Sequence, residues 1–376
     1  MHVLLVANTD WNLTNFRLGL IRELQAQGYR VSAAAAARRH FRILRREGVR
    51  YHDLVLDGKT RNPFKDFLLL CRLYWLYRAV RPDVVLHFTI KPNIYGSLAC
   101  ALLGIPVVNN VTGLGIVFAK KGLVSRIVRL LYRIAFDRAS RTFFQNSSDL
   151  NLFLRHGIVD GKRAGKLPGS GVDTRTFSPQ EKRQDGPLVF LLVARMIWQK
   201  GIEEFVRASE LVRADHPGTE FRLAGELGVN NPSAIPEDRI RQWERTGLIR
   251  YLGFSEDIRQ VIGEADCVIL PSYYPEGVPR TLLEAASMAV PIITTDTPGC
   301  RDAVDDGVNG FLCRPRDAQD LARKMALIIG MSPAQRLQMG RAGRAKMRRE
   351  FDESIVVQKY LEAIRAAVAE GSKDRQ

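Results

Sequence analysis

Short apolar runs alternate with helical patterns along this chain, and they do so in two rounds. The first round holds HVLLVA (2–7), an amphipathic pattern from 16 to 27, RVSAAAA (30–36), DVVLHF (83–88) and PVVNNV (106–111). The second holds PLVFLLVA (187–194), the pattern GIEEFVRASELVRA (201–214), EFRLAG (220–225), CVILPS (267–272) and VPIITT (290–295). Strands that are apolar on both faces belong to parallel sheets covered by helices on either side. The alternation therefore predicts an α/β fold with two doubly wound, Rossmann-like domains, and 376 residues suffice to bury two cores.

Between the rounds, LPGSGVDTRTFSPQEKRQDGP (167–187) is rich in Gly, Pro, Ser and charge and reads as a linker. The expected division is 1–178, 179–354, and a C-terminal amphipathic helix with a polar tail over 355–376. Ligands of open α/β sheets sit outside the carboxyl ends of the strands, so two such domains facing each other would share a cleft.

Charge is distributed unevenly. The first 178 residues carry 28 Lys and Arg against 11 Asp and Glu, whereas the rest carry 28 against 29. An excess confined to one half favours a polyanionic partner: nucleic acid, an anionic lipid surface or a phosphorylated acceptor. The five cysteines form neither a CxxC nor an even framework, which fits a reducing compartment. No two histidines stand at metal-ligand spacing, so no metal site is expected. The N-terminus MHVLLVANTDW lacks a basic start and a cleavage site and reads as a first buried strand. Residues 92–119 carry no formal charge, but Pro106, Asn109, Asn110, Thr112 and several glycines break them up, and no transmembrane segment is expected.

The stretch PSYYPEGVPRTLLEAASMAVPIITTDTPG (271–299) places Glu276 in a turn and Glu284 inside an apolar helical run. Pro279 suits a first helical position. The amides at the start of that helix, over Gly277, Val278, Pro279, Arg280 and Thr281, have no partners within it, and the macrodipole adds positive charge there, so phosphate is favoured. Glu284 lies about 7–8 Å further along the axis, at about 1.5 Å per residue. A diphosphate at the helix end would have a carboxylate on each side, each able to accept hydrogen bonds from hydroxyls. A nucleotide sugar has hydroxylated rings on both sides of a diphosphate. An isolated pair of glutamates at this spacing is ordinarily a decorated turn and a solvated helix position; here Glu284 stands among residues that should be buried, where an unpaired carboxylate is costly.

These residues resemble the retaining glycosyltransferases of the GT-B fold, family four, also called glycosyl transferases group one. The resemblance covers nearly the whole chain and is densest over 188–315, where VARMIWQKGIEEF, YLGFSEDI, the 271–299 stretch and VNGFLCRP follow in the family's order. It implies two doubly wound domains facing a cleft, with the C-terminal helix crossing back to the first. It implies that Glu276 meets the donor sugar, that Glu284 holds the ribose hydroxyls, that Arg195 and Lys200 attend the leaving diphosphate, and that Phe254 stands at the nucleobase wall. As plain sequence, Arg195 and Lys200 are two loop cations and Phe254 a core aromatic. The chain contains no D-x-D, in agreement with a metal-independent site that needs no cofactor beyond its nucleoside diphosphate sugar.

On the acceptor side, ANTDWNLTNFRLGLI, HFTIKPNIYGSLACALLGIPVVNNVTGLG and PGSGVDTRTF resemble the members that build bacterial capsule, O-antigen and other lipid-linked oligosaccharides. By this resemblance the partners are a UDP-sugar and a polyprenyl-diphosphate-linked saccharide. Asn15, Arg17, His87, Lys91, Asn110 and Thr112 should face the cleft, although a strand-end histidine such as His87 is more often structural. Two departures stand out: residues 7–18 contain no glycine, where many members have a glycine-rich turn, and Thr112 rather than a histidine precedes Gly113. KKGLVSRIVRLLYRIAFDRASR (120–141) puts Leu123, Ile127, Leu130, Leu131 and Ile134 on one helical stripe and Arg126, Arg129 and Arg133 on another, as suits an anionic membrane surface or an ordinary surface helix. The expected location is cytoplasmic, peripheral on the inner face of a bacterial plasma membrane. Two alternatives remain at this level: a sugar-nucleotide epimerase of the same fold, which needs no acceptor, and a basic nucleic-acid-binding protein. The second lacks a reading motif, so no nucleic-acid partner is expected.

Overall fold

The computed structural model describes residues 1–56, 62–113, 123–181 and 186–373. They form two compact units, one of Met1–Ser170 with Glu353–Gln376 and one of Gly171–Asp352.

In the first unit β1 (His2–Thr9), β2 (Arg30–Ala36), β3 (Arg50–Asp53), β4 (Val84–Phe88), β5 (Val107–Val111), β6 (Arg141–Phe144) and β7 (Ala164–Lys166) make one parallel sheet, ordered β3-β2-β1-β4-β5-β6-β7. Its helices are α1 (Asp10–Ala26), α2 (Phe41–Arg46), α3 (Pro63–Val80), α4 (Ser97–Leu103), α5 (Leu123–Asp137) and α6 (Ser147–Arg155). In the second unit β8 (Leu188–Val193), β9 (Thr219–Ala224), β10 (Arg250–Gly253), β11 (Cys267–Leu270), β12 (Ile292–Thr295) and β13 (Gly310–Cys313) make a second parallel sheet, ordered β10-β9-β8-β11-β12-β13. Its helices are α7 (Ile202–Asp215), α8 (Glu237–Arg245), α9 (Ile258–Gly263), α10 (Arg280–Ser287), α11 (Ala318–Gly330) and α12 (Pro333–Lys346). The closing helix α13 (Glu353–Lys373) belongs to the first unit.

Side chains of successive strand residues point to opposite faces. In the first unit Val3, Leu5, Val84, Leu86 and Val108 bury against α1 and α13. Leu4, Val6, Val85 and Val107 bury against α3 and α4 on the other face, and Val111 and Phe144 against α5 and α6 on that same face. The second unit repeats the plan: Phe190, Leu192 and Ile269 meet α7 and α11, while Leu191, Val268 and Leu270 meet α10. Among the described residues no helix is long and apolar enough to cross a membrane.

Three local expectations change. Helix α1 begins at Asp10, not near 16: Thr9 caps it by accepting from the Asn12 amide at 3.3 Å, and the buried Asp10 carboxylate accepts from the amides of Arg38, His40 and Phe41 at 2.8 to 3.0 Å. The strand thus enters its helix without a glycine turn. Pro279 is the N-cap of α10 rather than its first helical residue, with ψ 120°. The described part of the 167–187 stretch does not behave as a free linker, because residues from 171 onward are bound into the second unit. Phe177 lies in its core, the Phe177 carbonyl accepts from Ser287 Oγ at 2.6 Å, and Thr174 Oγ1 donates to Asp352 at 2.6 Å.

Tyr360 fastens α13 to the first sheet. It is 1% exposed, its ring meets Phe88 and Phe143 with centroids 6.0 and 5.4 Å away, and its hydroxyl accepts from the Asn110 amide. Tyr360→Ala should lower the stability of the first unit by about 3–5 kcal/mol through the cavity it leaves. Tyr360→Phe, which removes only the hydrogen bond, should cost about 1 kcal/mol. Urea unfolding of the two variants measures both values.

Candidate active site

The second sheet reverses its winding between β8 and β11, which are neighbours although β9 and β10 intervene in sequence. Chains leaving two such strands diverge, here to α7 on one face and α10 on the other, and open a crevice at the carboxyl edge. Arg195 and Lys200 lie on the loop after β8; Glu276, Gly277, Val278 and Pro279 lie on the loop after β11. Topology therefore brings Lys200 Nζ onto Glu276 Oε1 across 76 residues of sequence.

Backbone packing sets this contact. Gly201, at φ 76°, passes so close to the Pro271 carbonyl that a Cβ would overlap it. The Gln199 carbonyl accepts from the Tyr273 amide at 3.0 Å and from Ser272 Oγ at 3.2 Å, which ties the two loops together. Ser272 is fully buried, and its single hydroxyl proton is shared between that carbonyl and Glu276 Oε1, which lies at 3.0 Å. A third loop, after β12, places Gly299 at φ 82° against the Gly277 carbonyl, again with no room for a Cβ. The Lys200 and Glu276 side chains keep 12% and 13% of their surface, whereas Arg195 is exposed. Burial, Glu276 and an opposing Arg195 act on the Tyr274 phenol and push it up, so it stays neutral.

Helix α10 carries the second carboxylate. Leu282, Leu283, Ala285 and Ala286 are buried around Glu284, and Arg280 Nε donates to Glu284 Oε1 at 2.9 Å one turn back. Burial pushes the Glu284 carboxyl up and Arg280 opposes the shift. Val278 is 6% exposed and packs in the core, so it offers backbone alone; Thr281 is half-buried. Phe254 follows β10 and is 62% exposed, which removes the core explanation for it. Among the described residues no group of three or more His, Cys, Asp and Glu side chains converges as metal ligands would.

The first unit departs from expectation. His87 is fully buried: Nε2 meets the Tyr77 hydroxyl at 2.8 Å and Nδ1 meets Asn109 Oδ1 at 3.0 Å. Gly96 packs so tightly on its ring that a Cβ would overlap Nε2. Arg17 is 2% exposed, with its guanidinium 4.4 Å over the Phe88 ring and 5.9 Å from that of Tyr360. Asn110 is buried against Tyr360. These three are packed against partners inside the first unit, because the strand alternation and the first turns of α1 turn them inward. Lys91 pairs with Asp66 at 2.8 Å, and Tyr95 donates to the other oxygen of Asp66 at 3.0 Å. Asn15 and Thr112 are half-buried.

Comparison with known proteins decides the family. Residues 173–346 match the model of "Glycosyl transferases group 1" and residues 2–146 that of "Glycosyl transferase 4-like". The chain belongs to the group 1 glycosyl transferases. It is 25% identical, over 96% of its length and 97% of the relative's, to the N,N'-diacetylbacillosaminyl-diphospho-undecaprenol alpha-1,3-N-acetylgalactosaminyltransferase of Campylobacter jejuni. It is 26% identical, over 67% of its length and 68% of the relative's, to the UDP-Gal:alpha-D-GlcNAc-diphosphoundecaprenol alpha-1,3-galactosyltransferase of Escherichia coli. In fold it is similar to a glycosyltransferase from Rickettsia africae, with TM-score 0.81, 17% identity and 98% of both chains covered. It is also similar to Anabaena HepE in complex with UDP, with TM-score 0.75, 19% identity, and 97% of this chain and 100% of that one covered.

Sequence reasoning missed three residues of this glycosyltransferase. Ser272 orients Glu276, and its place in CVILPS, at a strand end, was a usable signal. Gln199 has a buried Oε1 with no hydrogen-bond partner among the described residues, in the loop that carries Lys200. Thr89, at the end of β4 where the first sheet reverses, has φ 74° and a buried hydroxyl without a partner among the described residues. A β-branched residue rarely adopts that conformation, and such strain gathers at functional sites. No sequence pattern announces it.

Burial lowers His87 from 6.5 to about 3, with the Asn109 hydrogen bond opposing. Between those values the unfolded chain binds a proton that the folded chain refuses, so this stabilisation is complete above about 6.5 and is lost as pH falls toward 3. The stability advantage of the wild type over His87→Gln should therefore shrink steadily on acidification across that window. Urea titrations at neutral and mildly acidic pH measure it.

Proposed function

We propose that this glycosyltransferase moves a hexose or N-acetylhexosamine from a UDP-sugar to a polyprenyl-diphosphate-linked saccharide, with retention at the anomeric carbon and no metal ion. The observation that carries the reading is the grouping of Arg195, Lys200, Glu276 and the amino end of α10 around the β8/β11 switch point. Two relatives are named for undecaprenol-diphosphate acceptors, and one of them for a UDP-Gal donor, which supports the choice of substrates. Other relatives are named for colanic acid and amylovoran biosynthesis, which supports a place in surface polysaccharide assembly.

The chemistry follows from where charge grows. Cleaving the bond between the anomeric carbon and phosphate leaves negative charge on the diphosphate and oxocarbenium character on the sugar. Arg195, Lys200 and the dipole of α10 are fixed in advance where that negative charge develops, and they supply the role a metal ion has elsewhere. Glu276, held by Ser272 and Lys200, accepts hydrogen bonds from the sugar and favours its positive charge. The departing phosphate takes the proton of the acceptor hydroxyl, which attacks from the same side. Glu284, braced by Arg280, receives the ribose hydroxyls, and Phe254 offers a face to the base. Asn15, Lys91 and Thr112 remain the acceptor-side residues of this reading, whereas Arg17, His87 and Asn110 support them from within. The enzyme works on the cytoplasmic face of a bacterial plasma membrane, its basic first unit against anionic lipid.

Glu284→Ala should weaken UDP binding by about tenfold to a hundredfold, the worth of one or two hydrogen bonds to a charged group. Arg195→Ala, at an exposed position, should leave UDP affinity within a few fold and slow transfer by about a hundredfold or more. Calorimetry with UDP and UDP release in the presence of a synthetic polyprenyl-diphosphate saccharide check both. Absence of any UDP affinity in the wild type would overturn the reading, and product from the donor alone would point to an epimerase.

A further inference from the structure

Three residues of the apolar stripe of α5 are left outside by the fold. Helix α5 packs on its unit through Tyr132, Ala135 and Phe136, with Val128 and Leu131 partly buried beside them. Ile127, Leu130 and Ile134, at 48, 58 and 52% exposure, stand on the opposite side. Residues 120–122 of the segment that the sequence pointed to lie outside the described residues.

Helix α3 does the same. It buries Leu69, Leu73 and Tyr77, spaced by four, and leaves Phe64, Phe67, Leu68 and Trp75 at 75, 63, 40 and 64% exposure. Between the two lies α4, which packs against both and exposes Leu102 at 70%. All three helices cover the same face of the seven-stranded sheet, so their outward residues share one surface. A monomer in water has no reason to collect three large aromatic rings and five aliphatic side chains there.

Cations stand among them. Lys65, Arg72 and Arg78 on α3 and Arg126 and Arg133 on α5 are exposed. The one acid of α3, Asp66, is already held by Lys91 and Tyr95. A two-fold pairing of this face with itself would set these like charges against one another. An anionic bilayer meets both demands: phosphate headgroups for the Lys and Arg heads and the acyl boundary for the rings beneath.

We infer that the outward faces of α3, α4 and α5 form one bilayer-docking surface, with Phe64, Phe67 and Trp75 entering the headgroup and acyl boundary of an anionic phospholipid membrane. This rests on the membrane reading given above and adds to it the surface and the depth-seeking residues.

The test uses the full chain and vesicles with about 30% phosphatidylglycerol in phosphatidylcholine, beside pure phosphatidylcholine. The wild type should float with the anionic vesicles and not with the neutral ones. Phe64→Ser/Phe67→Ser/Trp75→Ser, all at exposed positions, should lose about tenfold or more of that partitioning while keeping UDP affinity and a cooperative unfolding transition. Lipids carrying a quencher near the headgroup should quench wild-type fluorescence more than that of Trp75→Phe. Flotation of the triple variant equal to the wild type overturns the assignment, as does equal quenching of Trp75→Phe. A wild-type dimer that the triple variant dissolves would make the face an interface between copies and also overturn it. Loss of UDP affinity in the wild type with flotation intact would fell the donor-site reading and leave this one standing.

Discussion

The close approach of backbone to backbone at the carboxyl edge of the second sheet governs the candidate site. Gly201 lies on the Pro271 carbonyl and Gly299 on the Gly277 carbonyl, so the loops after β8 and β12 both pack main chain to main chain on the loop after β11. Only at that separation can Ser272 reach both the Gln199 carbonyl and Glu276. The Lys200–Glu276 ion pair is then a consequence of main-chain packing rather than of side-chain attraction. A charge held in this way need not reorganise when a diphosphate arrives or departs, which is the condition under which fixed dipoles and cations lower a barrier most.

The parallel architecture was legible because each central strand is buried on both faces, leaving uninterrupted runs such as HVLLVA and PLVFLLVA. The turn and the helix that carry Glu276 and Glu284 were legible too, because they lie within one continuous stretch. What could not be read was anything fixed by partners remote in sequence. Helix α1 starts at Asp10 because the amides that its carboxylate satisfies lie 28 to 31 residues away. Arg280, the partner of Glu284, lies within residues 271–299 as well, but only the turn of α10 brings its guanidinium back onto the carboxylate.

His87 shows the limit from the other direction. In β4, Val84, Leu86 and Phe88 face α1 and α13, so period two alone assigns Val85 and His87 to the α3 face. Their inward orientation is thus present in the sequence, whereas the resemblance alone places His87 at the cleft. For α5 the periodicity revealed an apolar stripe but not its direction. Tyr132 and Phe136 compete with Ile127, Leu130 and Ile134 for the core, and the packing of α6 and β6 settles the choice in favour of the aromatics.

The two halves contain equal numbers of Lys and Arg and differ in their acids, 11 against 29. The first unit is therefore basic through missing carboxylates, not through added cations. In the second half the acids are spent locally, as in Arg222 with Glu220 and Glu264, Arg314 with Asp317 and Asp320, and Lys346 with Asp305 and Glu350. Pairs of that kind cancel beyond a few ångströms and project little field. Cations without such neighbours project theirs over about 8 Å at physiological salt. On the proposed reading, that reach suits a lipid surface of many weak phosphates, whereas transfer from a single diphosphate needs charge that is local and fixed. Placing acids in one half and withholding them from the other separates the two requirements within one chain.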